Sequence, residues 1–140
     1  MVIAICGSMS FAKEMVRAKR ELEKQRHIVF VPVEAEIYGA GTRKRNPDKD
    51  AGALRKREFD FIRQHAKLID VSQAILVINC NKKEEKNYIG GNTLIEIGYA
   101  HIMHKQIFLL QDIPNDPKFR QEVVAMDPII IHGNFDIIPI

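Results

Sequence analysis

Cysteine is scarce in this chain, with Cys6 and Cys80 its whole supply. Two thiols make no disulfide scaffold. No C-x-x-C or H-E-x-x-H spacing accompanies them, so no structural zinc, and no metal or other cofactor, is expected. Long apolar runs are missing as well. AILVI and PIII fall far short of the ~20 residues that cross a bilayer. The opening MVIAIC lacks a basic n-region and a cleavage site, and its apolar run stops at Gly7, so it does not read as a signal peptide. A cytoplasmic protein without membrane contact is expected. Nor is there a large excess of one charge. The formal net charge is +3, drawn largely from Arg43, Lys44, Arg45 and from Arg55, Lys56, Arg57. With no aromatics interleaved, these runs do not suggest a nucleic-acid polymer as partner. They suit a solvated loop and helix face, or contact with a phosphate-bearing small ligand. A Walker loop and a G-x-G-x-x-G fingerprint are both absent.

What is present is a globular composition. Apolar residues make up 46% and charged residues 28% of 140, enough for one folded domain with a real core. Two hydrophobic periods alternate along it. Val2 to Cys6, Ile28 to Val31, Ala74 to Asn79, Gln106 to Leu110 and Ile129 to Ile131 are continuous short apolar runs, as in strands buried on both faces. Between them, Phe11, Met15, Ala18 and Leu22 fall at helical spacing, with Ser10 in position to cap the helix. Residues 34–50 read as an irregular stretch, and a second helix is expected from near Asp50, with Leu54, Phe61, His65 and Leu68 along one side. A third helix follows Gly90-Gly91, with Ile95, Gly98, Tyr99 and Ile102 on its inner face. Asp116-Pro117 opens a short fourth one as cap and first-turn proline.

Five such strands separated by helices predict an α/β fold: a single three-layer, doubly wound domain with a five-stranded parallel sheet of the flavodoxin or Rossmann type. Ligands of such sheets bind outside the carboxyl ends of the strands, where strand order reverses. Here that is between the first and third strands.

Two segments reach that edge. Gly7-Ser8-Met9-Ser10 follows the first strand and opens a helix, offering close backbone approach, unpaired N–H groups and two hydroxyls. It is equally an ordinary tight turn. Past Asn79, at the end of the third strand, Tyr88-Ile-Gly-Gly-Asn-Thr leads into the third helix. Gly90 and Gly91 permit a tight course, Asn92 or Thr93 can cap, and Glu96 lies in the first turn, where it can complement the helix dipole or serve a ligand. Cys6 and Cys80 both close strands, so a thiol pair is conceivable, although buried cysteines are usually small core residues. His65 reads as a core or rim residue. His101 and His104 lack a third ligand and read as surface or subunit-contact residues.

The pattern C-G-S after strand one, followed after strand three by G-G-N-T-x-x-E-I-G-Y-A, resembles the nucleoside 2-deoxyribosyltransferase-like superfamily, which includes the deoxynucleoside 5'-monophosphate N-glycosidases. The resemblance runs from the first strand through the fourth. It implies a nucleoside or nucleotide ligand and a glutamate nucleophile at Glu96. It also implies a ligand-binding turn at Gly7 and Ser8, Asn92 and Thr93 near sugar or phosphate, and a homo-oligomer, dimeric or larger. Ser72-Gln73 stands where transferases carry an Asn-Asp or Ala-Asp pair, and Gly90 stands where they carry a second aspartate. Hydrolysis of the base–sugar bond is therefore expected ahead of transfer, with the basic stretch 39–50 as a lid. Two alternatives stay open: a nucleotide sensor that binds without turnover, and a lonely-guy-type phosphoribohydrolase, whose P-G-G-x-G-T-x-x-E lacks the following I-G-Y-A.

Overall fold

The computed structural model of the protein describes residues 1–39 and 60–140, with the backbone alone for residues 37–39. Five strands, β1 (Val2–Gly7), β2 (Ile28–Phe30), β3 (Ala74–Ile78), β4 (Gln106–Leu109) and β5 (Ile129–Ile130), form one sheet. Their order is β2-β1-β3-β4-β5 and every pairing is parallel. This is the expected α/β architecture. Later strands end one residue earlier than expected, yet Leu110 N still donates to Val77 O and Ile131 N to Leu109 O. The difference is fraying of the strand ends.

Successive strand side chains point to opposite faces, and the core divides accordingly. Ile3, Ile5, Leu76, Ile78 and Phe108 face one cluster, which α1 (Ala12–Lys24) completes with Met15, Ala18 and Leu22. Ala4, Cys6, Ile75, Val77 and Leu109 face the other. That side is covered by α3 (Phe61–Asp70), α4 (Gly91–Ile102) and α5 (Arg120–Ala125), through Ile69, Ile97, Ala100 and Val123. Helices on both faces are what a parallel sheet of apolar strands requires.

Several local expectations are corrected. The cap after β1 is Ser8, not Ser10: Ser8 Oγ accepts from Ser10 N at 3.2 Å and starts a 3-10 turn, Met9–Phe11, ahead of α1. Residues 33–39, expected to be largely irregular, form α2 (Val33–Gly39), with Ala35 buried in the α1-side cluster. The rest of that stretch, including the lid, both basic runs and the helix start near Asp50, lies outside the described residues. The short helix expected at Asp116 begins at Arg120; Asp116 caps the turn that precedes it, its Oδ1 accepting from Lys118 N at 2.9 Å.

The most consequential correction concerns α4. Ile95 and Ile102, expected to face inward, are 60% and 72% exposed, while Thr93, Glu96, Ile97 and Ala100 are buried. The helix is rotated so that its glutamate faces the sheet. No helix among the described residues is long and apolar enough to cross a membrane.

Candidate functional site

Strand order reverses between β1 and β3, so the adjoining loops diverge at their carboxyl ends and leave the crevice in which such sheets bind ligands. Cys6, the penultimate residue of β1, pairs in register with Val77 and points to the α3/α4 face. Directly over it, α3 places His65 and α4 places Glu96. His65 Nε2 lies 3.5 Å from Cys6 Sγ and 3.0 Å from Glu96 Oε2. One turn before Glu96, Asn92 Nδ2 donates to Glu96 Oε1 at 3.1 Å. The i, i+4 spacing of a helix makes this last contact possible. Asn92 thus holds one carboxylate oxygen, and His65 lies close to the other.

Burial sets the protonation states. It lowers the His65 pKa to about 4, a backbone contact with Ile5 opposing only in part. The ring is neutral at pH 7, so its 3.0 Å approach to Glu96 Oε2 is a close contact rather than an ion pair. Burial pushes the Cys6 thiol well above its ordinary range, and the neighbouring Glu96 carboxylate pushes it further. A thiol, a neutral imidazole and an amide thus surround the Glu96 carboxyl, and none of these three brings a positive charge.

The cluster is not a thiol-protease triad. In a triad the nucleophile and the acid use different imidazole nitrogens, so that one can pass a proton while the other orients the ring. Here both Sγ and Oε2 face Nε2. The thiol is also fully buried and held protonated, the opposite of an activated nucleophile. Nor do the cysteines pair. Cys6 and Cys80 are both free, and they pack against opposite faces of the sheet.

The sequence matches no protein-family model and no curated protein. Among solved structures, a 2-deoxyribosyltransferase from the psychrotolerant bacterium Bacillus psychrosaccharolyticus superposes with a TM-score of 0.54 at 19% identity. The match covers 78% of this chain and 71% of that one. This chain has a 2-deoxyribosyltransferase fold.

Within the deoxyribosyltransferase fold the remaining site residues fall as follows. Gly7 is demanded by packing: a Cβ there would stand 2.9 Å from Ile78 O and from Met15 Cε. Ser8 and Met9 are half-buried and Ser10 is exposed. Gly90 caps α4 with extended backbone and no side-chain bond, so neither Asn92 nor Thr93 is the cap; Asn92 serves Glu96 and Thr93 is buried. Gly91 has open space around it. Tyr88 packs edge-on against Phe11, with centroids 6.3 Å apart, and Lys82 Nζ lies 4.7 Å from its ring centre. The Asn79 side chain is spent on the loop after β4, donating to Gln111 O and Asp112 O and accepting from Gln111 N. Gln73 Oε1 accepts from Val2 N at 2.9 Å, at the amino end of the sheet and away from Glu96. Its identity therefore says nothing about the acid available at the carboxyl end. His101 and His104 are exposed.

Two features escaped the sequence reading. His65 is the buried residue its spacing predicts, and only the approach of α3 to α4 brings it to Glu96. A cavity of about 710 Å³ opens between the loops after β3 and β4, lined in part by Asn87, Tyr88, Asp112, Asn115, Asp116 and Arg120. Its size suits a small ligand, yet of the expected site residues Tyr88 alone lines it. Arg120 is committed to its wall, donating through Nη1 to Ile113 O and Pro114 O.

Proposed function

We propose that this chain is a nucleoside or nucleoside 5'-monophosphate N-glycosidase with Glu96 as nucleophile. A Glu96 oxygen attacks the anomeric carbon, and the bond to the base breaks with its electron pair leaving on the base nitrogen, which takes up a proton. Water then cleaves the glycosyl ester, restoring the carboxylate and giving free sugar; a second base in place of water gives transfer. The reaction builds positive charge on the sugar ring. A carboxylate whose neighbours are neutral keeps its charge available to meet it.

The observation that carries this reading is the placement of Glu96. It is 8% exposed, beside the switch point of a deoxyribosyltransferase fold, with Asn92 and His65 against its two oxygens. Gly7 to Ser10 and Gly90 to Thr93 are the segments assigned to sugar and phosphate, and no cofactor enters the reaction as written. The test is incubation of the pure protein with nucleosides and their 5'-monophosphates, followed by chromatography for free base. Base release that disappears in Glu96→Ala supports the reading; release undiminished in that variant removes Glu96 from the role.

One observation favours a nucleotide-binding domain without turnover. His65 is unprotonated at neutral pH and so is no ready proton donor for a departing base. Thermal stabilisation by a nucleotide that is recovered uncleaved would select this second reading.

A further inference from the structure

We propose that Cys6, His65 and Glu96 form a binding site for a borderline-soft divalent cation, Zn²⁺ in the first instance, and that its occupation silences Glu96. One donor atom from each residue converges so that all three lie within 4.8 Å of one another, and all three residues are buried. Zinc bonds of 2.0–2.3 Å at tetrahedral angles place donor atoms roughly 3.3–3.6 Å apart. Sγ and Nε2 already stand at 3.5 Å, and Nε2 and Oε2 at 3.0 Å. The second pair must part by a few tenths of an ångström, roughly, and the Cys6 sulfur and Glu96 oxygen, within 4.8 Å of each other, must close by up to about 1.2 Å.

The geometry that rules out a triad is the one a metal site wants. Nε2 lies within 3.5 Å of both Sγ and Oε2, so one ion can take all three as ligands. The charges close as well. Zinc displaces the proton of the Cys6 thiol, so thiolate, carboxylate and neutral imidazole offset a dication inside the protein. Thiolate and imidazole together select zinc over magnesium or calcium, whose preferred donors are oxygens. Three protein ligands leave the fourth position to water. The absence of ligand motifs did not reveal this site because its donors come from one strand and two separate helices.

Binding stands independently of the glycosidase proposal; the loss of turnover rests on it. A glutamate that coordinates zinc cannot attack a sugar, so zinc and substrate compete for the same carboxylate.

The test is titration of the metal-free protein with Co²⁺ as spectroscopic stand-in, then displacement by Zn²⁺. One equivalent of Co²⁺ should produce a thiolate-to-cobalt charge-transfer band, with one proton released per ion. Cys80→Ser should keep the band, and Cys6→Ser should lose it. His65→Gln should weaken zinc binding by at least roughly 100-fold. No band in the wild-type protein, or a band that survives in Cys6→Ser, overturns the site; the wild-type spectrum decides even if a variant fails to fold. Base release is assayed alongside with chelator and with zinc. Cobalt binding without base release at any metal level leaves the cation site standing and removes the glycosidase. Base release indifferent to saturating zinc removes the silencing.

Discussion

His65 Nε2 stands 3.0 Å from Glu96 Oε2, an imidazole from one helix meeting a carboxyl from the next over the end of β1. The buried ring is uncharged at neutral pH, so it lies against the carboxyl without neutralising it.

Glu96→Gln should preserve the fold and reduce base release on the order of 10⁴-fold or more, as expected for removal of a nucleophile. Chromatographic assay of the variant beside the wild type checks this, with circular dichroism as the folding control. A drop of less than tenfold would argue that another group attacks the sugar.

Stability should fall with acid. His65 titrates at about 4 when folded, against an ordinary 6.5. Between those values the unfolded chain binds a proton that the folded chain does not, so stability rises with pH across that window. The contribution is complete above pH 6.5 and is lost as pH falls toward 4, amounting to on the order of 3 kcal/mol. Burial also lowers the His27 pKa, which acts in the same direction. Urea midpoints from pH 4 to 7 should therefore show a shallower slope for His65→Gln than for wild type. Parallel slopes would mean that His65 protonates freely in the folded state.

Gly7→Ala and Gly91→Ala should behave oppositely. The new methyl at Gly7 meets the Ile78 carbonyl oxygen at 2.9 Å, and strand backbone cannot retreat, so a loss of about 1–3 kcal/mol is expected. Gly91 opens α4 into free space, and alanine there should leave stability unchanged or raise it by about 0.4–1 kcal/mol. Equal effects in thermal melts would contradict the close approach of β1 to β3.

Asn79→Ala should cost about 2–4 kcal/mol. It removes three hydrogen bonds of 2.8–3.1 Å and strands the backbone polar groups of Gln111 and Asp112. The loop that walls the large cavity should loosen with it, seen as faster amide exchange at residues 111–116. Exchange confined to its wild-type rate would show that the loop is held by other contacts.

Ile95, Ile102 and Met103 leave an apolar stripe on the outer face of α4, and a second copy of this chain is our expected cover for it. Sedimentation should find wild type as a dimer or larger and Ile102→Lys shifted toward monomer. A monomeric wild type would dispose of the oligomer.

The sequence by itself determined the sheet. Runs such as AILVI and VIAIC have no polar face to offer water, so they can only be central parallel strands, and alternation with helices set the layers. It also placed Glu96 at the carboxyl edge of the sheet, since a glycine pair after an apolar strand marks where α4 begins. The phase of α4 was not legible, because apolar residues encircle it: Ile95 and Ile102 compete with Ile97 and Ala100 for the inner face. Packing against β3 and β4 settled the contest and turned Glu96 inward. The meeting of Cys6, His65 and Glu96 belonged to tertiary structure alone. Each comes from a separate element, and linear spacing carries no information about which side chains three independently packed segments will bring to one point.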